Sequence, residues 1–146
     1  MVELKLKTLG LDLPAAKPPA GNYIGCKIAG DLLYASGRVS DLKGEVGTEI
    51  NLKDARKAAH DTILLILAII KNDIKDLDLL KGVLKVQGFI RCKENFIDLP
   101  KVLDSASDLL ISLFGENGRH ARTATGAAQL PFGATIQLDI IFELNP

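Results

Sequence analysis

The sequence predicts one α+β domain, and three observations predict it. Two segments place apolar residues at helical spacing, five others alternate or carry strand-forming residues, and 146 residues are enough for one hydrophobic core. Apolar residues make up 47% and charged residues 25%, ordinary values for a globular chain.

Residues 1–20 read as an arm, and 21–146 as the domain proper. Positions 2–9 have room for one or two helical turns ended by Gly10, after which Pro14, Pro18 and Pro19 favour an extended path. A strand over 23–29, a turn at Gly30 and Asp31, and a strand over 32–37 make a hairpin. A polar loop over 38–50 leads to Asn51, which with Asp54 three residues on can cap a helix over 52–71. Leu52, Ala55, Ala59 and Ile63 form its first apolar face. The run 63–70 is apolar on every side and requires burial on more than one.

Residues 82–92 read as a long strand with Leu84, Val86, Ile90 and Cys92 on one face and Lys85, Gln87 and Arg91 on the other. Asp98 is placed to cap a helix over 99–114, striped with Val102, Leu103, Ala106, Leu109, Leu110 and Leu113 and stopped by Gly115. Strands over 120–128 and 134–144 close the chain around Pro131, Phe132 and Gly133. In the last, Ile136, Leu138, Ile140 and Phe142 face one way, and Thr135, Gln137, Asp139 and Glu143 the other. The order is β-β-α-β-α-β-β, so two helices cover one face of one sheet. The other face is expected to carry Lys85, Gln87, Arg122, Gln137 and Asp139, too polar for a core and suited to a wet interface between copies.

Composition narrows the function classes. Eighteen basic and eighteen acidic residues cancel, so no net field draws the chain to nucleic acid or to an anionic membrane. Two cysteines outside any C-x-x-C spacing, Cys26 and Cys92, fit a reducing compartment and read as small buried apolar residues. Positions 1–7 lack the apolar stretch of a secretion signal, and the longest apolar run, eight residues, is too short for a membrane span. A cytoplasmic location is the expectation. His60 and His120 are the only histidines and stand in no ligand-spaced cluster, so no metal is expected. No phosphate-binding glycine loop or nucleophile elbow is present, and no cofactor is expected.

What remains is one concentration of unusual residues, 118–126 followed by 130–137, in which Arg122 stands among small neighbours. A guanidinium forks onto a carboxylate through two hydrogen bonds and keeps its charge. Arg122 is therefore suited to hold a small acid, although a strand arginine taken alone is more often a solvated or ion-paired surface group.

Gly21-Asn22-Tyr23, Leu32-Leu33-Tyr34-Ala35-Ser36-Gly37, Ala121-Arg122-Thr123 and Leu130-Pro131, in this order and spacing, resemble the Rid family. These are the reactive intermediate deaminases, also called YjgF-like or L-PSP endoribonuclease-like proteins. The likeness runs from about residue 20 to the end, and the longer arm resembles a less characterised branch. The resemblance implies a chorismate-mutase-like fold, a homotrimer with ligand sites in the clefts between subunits, and hydrolysis of 2-imino acids or their enamine tautomers to 2-keto acids and ammonia. It implies that Arg122 grips the substrate carboxylate, that Tyr23 lines the cleft and that the Gly37 backbone borders it.

The departures matter as much. A cysteine of the family archetype falls on Ala124, and its water-positioning glutamate falls on Gln137, which can orient water but cannot take its proton as a carboxylate does. An asparagine near the start of the second helix becomes Pro100. A glutamine after the second strand's glycine becomes Arg38, adding positive charge near the cleft. Asp139 lies on the same face as Gln137, as a substitute base or as the ion-pair partner of a strand lysine. The leading expectation is thus an imine deaminase with Arg122 and Gln137 as catalytic residues and Tyr23, Gly37, Arg38 and Ala124 lining the site. The alternative is a trimeric protein that binds a small 2-imino or 2-keto acid without turning it over. Endoribonuclease activity is disfavoured by neutral charge and few aromatics.

Overall fold

A five-stranded sheet in the order β1-β2-β5-β3-β4 carries helices on one face. The computed structural model describes all 146 residues. Along the chain run α1 (Val2–Thr8), β1 (Cys26–Ala29), β2 (Leu32–Val39), α2 (Leu52–Ile74), β3 (Leu80–Arg91), α3 (Leu99–Phe114), β4 (Ala121–Ala127) and β5 (Ile136–Leu144). Behind the short α1, the expected order of strands and helices is present. All pairings are antiparallel except β3 with β4, which α3 connects as a crossover.

The N-terminus of α2 forms as its sequence demands, with the Asn51 Oδ1 accepting from the Asp54 amide at 2.8 Å. The helix runs on to Ile74, past the expected end at 71. Its all-round apolar run is explained by three contacts. Ile63, Ile66, Leu67 and Ile70 are fully buried in the main core. Leu13 and Pro14 of the arm share a cleft with Leu64 and Leu65. Ile69 lies so close to Gly25 that a Cβ there would meet its Cγ2 at 2.7 Å.

Residues 1–20 contribute to the core rather than hanging off it. Val2 and Leu6 are buried, and the Glu3 carboxylate accepts from Lys71 Nζ at 2.6 Å and from the Leu77 amide at 3.3 Å. Gly10, at φ 67°, ends the helical turn region as its lack of a Cβ allows.

Four sequence expectations are corrected. The pairing of β3 with β5 shifts register between Val83 and Lys85, so Val83 turns inward and Leu84 stands 39% exposed. Thr135 precedes β5 and is buried, donating from its hydroxyl to the Gly44 carbonyl at 3.0 Å. Asp98 occupies the N-cap position of α3 but makes no side-chain capping bond. Arg122 pairs in parallel register with the buried Val86, which puts it on the helix-covered face and not the open one. The physical reason is that β4 sits at the sheet edge and, Arg122 apart, consists of small residues, so its alternation carries no apolar phase.

Candidate functional site

β1 covers β2 only as far as Ala35, leaving the far end of β2 as a free edge. There the register against β5 shifts between Ala35 and Arg38, bringing Arg38 opposite Leu138, an inward-facing position. Gly37 turns to the open face, so close to β5 that a Cβ would lie 3.3 Å from Gln137 Nε2. The arm crosses this edge, and its last residue, Ala20, donates its amide to the Tyr23 hydroxyl at 3.1 Å. Together they enclose a cavity of about 700 Å³ whose lining includes Pro18, Tyr23, Gly37, Arg38, Phe132 and Gln137. Phe132, 67% exposed, holds a left-handed φ of 61° that a bulky side chain rarely adopts. A neighbouring cavity of about 530 Å³ between the arm and α2 contains none of the residues read as site residues.

Arg122 stands elsewhere, in a polar network of its own. Its Nη1 donates to Asp104 Oδ1 at 2.9 Å and to Ser107 Oγ at 3.0 Å, and its Nη2 to the Pro100 carbonyl at 3.4 Å. His120 Nδ1 lies 2.6 Å from the Gly118 carbonyl, which only a protonated nitrogen can approach as a partner. In the neutral ring Nε2 is then the acceptor for the Ser107 hydroxyl at 2.9 Å. The chain of bonds from Arg122 through Ser107 and His120 to Gly118 fixes the guanidinium in place. Asp104, Ser107 and His120 were not read from the sequence as site residues. Asp104 and Ser107 are three apart on α3 and so share a face, the one pattern that could have revealed them.

The sequence-derived site residues therefore form two groups. Tyr23, Gly37, Arg38 and Gln137 meet around one cavity. Arg122 and Ala124 lie on β4, separated from β2 by β5 and β3. Three strand spacings amount to roughly 14 Å, and Arg122 and Gln137 also point to opposite faces of the sheet, opposite Val86 and Phe89 respectively. One copy cannot close both groups on one small acid.

Asp139 lies on the open face beside Gln137, its Cβ 3.9 Å from where a Gly37 Cβ would be. Burial pushes its carboxyl above the usual range, with Lys85 pulling the other way. Lys85 Nζ donates to Thr123 Oγ1 at 3.1 Å. A raised acid binds more protons folded than unfolded, so it lowers stability as pH climbs from about 3.9 through the folded value. Asp139→Asn is expected to raise the melting temperature at pH 7, with the gain closing as pH falls below about 4. A gain that persisted unchanged in acid would refute this origin.

The cysteines are half-buried and free, and they are not fully buried as expected. Burial and the neighbouring Asp73 push the Cys26 thiol up to about 11, and burial raises Cys92 as well, so both remain protonated and poorly nucleophilic. His60 is a partly exposed neighbour of Asp61, at 3.1 Å.

Comparison with known proteins places this geometry. Residues 3–144 match the family model described as "YjgF/chorismate mutase-like, putative endoribonuclease". The chain belongs to the YjgF/chorismate-mutase-like family. Among its relatives is protein TCP17 of Trypanosoma cruzi, 37% identical over 151 aligned positions that cover 99% of this chain and 94% of that one. The crystal structure of Atu1372 from Agrobacterium tumefaciens, of unknown function, superposes with a TM-score of 0.89 at 36% identity, covering 99% of this chain and 92% of the other. E. coli TdcF, solved with bound serine, shares the fold at a TM-score of 0.61 and 15% identity, over 89% of this chain and 94% of its own. The family match begins at residue 3, so it takes in α1 and the arm along with the sheet. No helix is long and apolar enough to cross a membrane.

Proposed function

We propose that this family member is a homotrimeric hydrolase of reactive 2-imino acids and their enamine tautomers, releasing 2-keto acids and ammonia. The observation that carries the proposal is the division of the site into two halves. Tyr23, Gly37 and Gln137 border a cavity at one end of the sheet, and Arg122 waits on the edge strand at the other. A second copy that sets its β4 edge against this cavity supplies the missing carboxylate anchor, and a closed ring of three repeats that contact. The polar open face suits such a wet interface.

In this reading Arg122 of one copy holds the substrate carboxylate through its fork, and the imine carbon lies against Gly37 and Gln137 of the next. The Gln137 amide accepts from a water and aims its oxygen at that carbon. An iminium is already electrophilic, so positioning contributes most of the acceleration. Addition of water to the C=N bond gives a carbinolamine, and its collapse breaks the C–N bond, leaving keto acid and ammonium. In this reading Asp139, beside Gln137 on the same face, takes the water's proton. The serine bound by TdcF, a small amino acid with the same carboxylate, is consistent with this ligand class.

The test is the rate of 2-keto acid release from freshly generated 2-aminoacrylate. Acceleration over buffer is expected, and Gln137→Glu is expected to keep or raise it by restoring a carboxylate at the water. A large loss in that variant would mean that Gln137 does not face the water. The second reading, a trimer that binds a small acid without turnover, is favoured by the amide at Gln137. It becomes the conclusion if the wild type gives no acceleration yet binds a keto acid.

A further inference from the structure

Arg38 is 7% exposed and lines the cavity, yet it forms no ion pair. Its Nη2 donates to the backbone carbonyls of Pro18 at 3.0 Å and Lys17 at 3.5 Å, and its Nη1 is buried without any partner. Those carbonyls satisfy hydrogen bonds but bring no countercharge, and a buried, unpaired cation strongly disfavours the folded state. The surroundings add positive charge. Lys17 and Lys43 line the same cavity, and its one carboxylate, Asp41, is already bonded to Lys17. Three cations face one anion, so the cavity favours a ligand that carries negative charge to Arg38.

We infer that Arg38 is a specificity residue that binds a second acidic group, so the substrates are imines of dicarboxylic amino acids rather than of small neutral ones. The inference rests on the reading above. Arg122 takes the carboxylate next to the imine, and Gly37 and Gln137 border the reacting carbon. Arg38, which lines the same cavity as Gly37 and Gln137, receives the distal carboxylate. A cavity of about 700 Å³ also belongs to the size class that holds ligands larger than a three-carbon acid. The acid reaches Arg38 by displacing the Pro18 carbonyl, the shorter of the two bonds that tie the arm to this guanidinium.

The test uses stable product-like probes and needs no turnover. Isothermal titration of the wild-type protein with 2-oxoglutarate and with 2-oxobutyrate is expected to show the dicarboxylate binding at least about tenfold more tightly, the strength of a charge-assisted bond. Arg38→Gln is expected to abolish that preference by weakening 2-oxoglutarate far more than 2-oxobutyrate, and Arg38→Lys to keep part of it. Equal wild-type affinities would overturn the inference alone, as would an Arg38→Gln variant that weakens both ligands alike because Arg38 only pins the arm. Failure of both acids to bind the wild type would overturn the functional reading together with this one. If Arg38→Gln does not fold, the wild-type ratio and its change in Arg38→Lys decide the matter.

Discussion

Under the proposed reading, Arg122→Ala is expected to lower 2-keto acid release from 2-aminoacrylate by about two to four orders of magnitude, with the fold intact. Removing one partner of a desolvated, hydrogen-bonded charge pair costs about 3–5 kcal/mol, and each 1.36 kcal/mol is a tenfold change in rate. The stability cost should be far smaller. The Arg122–Asp104 pair is 21% and 51% exposed at its two side chains, and pairs of that kind contribute about 1 kcal/mol or less. A variant that melts near the wild-type temperature but has lost turnover is therefore the expected outcome. Arg122→Lys should recover little, because an ammonium keeps the charge without the planar fork. Retained activity in Arg122→Ala would end the anchoring role and leave the Asp104 pair as its only purpose. The measurement also separates Arg122 from its supports. Ser107→Ala leaves the guanidinium present but less firmly oriented, so it should impair turnover less than deleting the arginine.

Phe142→Ala is expected to destabilise the domain by about 3–5 kcal/mol. The side chain is completely buried on the helix-facing side of β5, with its ring centroid 6.0 Å from that of Phe114 at the end of α3. Truncation removes apolar contact on both the sheet and helix sides, and neither layer can collapse far into the gap. For a domain whose total stability is about 5–15 kcal/mol, such a loss should move the denaturation midpoint markedly without changing its slope. Phe142→Leu, which fills most of the space, should lose much less. A cost below about 1 kcal/mol for the alanine variant would show that the site relaxes, contrary to a close-packed interior.

The legible parts of this fold are those where one residue type decides one physical outcome. The alternation Ile136, Leu138, Ile140, Phe142 leaves β5 a single way to face the core, and all four are buried. Asn51 offers its side-chain oxygen at the place where α2 needs an acceptor, and the bond forms. The residues that mislead are those whose orientation depends on pairing between distant strands. Leu84 is turned outward by a bulge in the β3–β5 ladder, and Arg122 takes its face from Val86 across a parallel pair. Neither register is encoded locally. Which of the candidate residues the fold brings together was not legible in the sequence. Tyr23, Gly37, Arg38 and Gln137 do share a cavity, whereas Arg122 lies across the sheet with partners from α3 that no strand pattern announces.

The segment between α1 and β1 is fastened at both ends. Val2 and Leu6 sit in the core at one end, and Cys26 enters the sheet at the other. It is thus a closed belt and not a tail, and the entropy of drawing its ends together is spent during folding and need not be spent again when a ligand arrives. An incoming acid therefore has only the local Pro18 contact over Arg38 to displace, while α1 keeps the far end of the segment in the core.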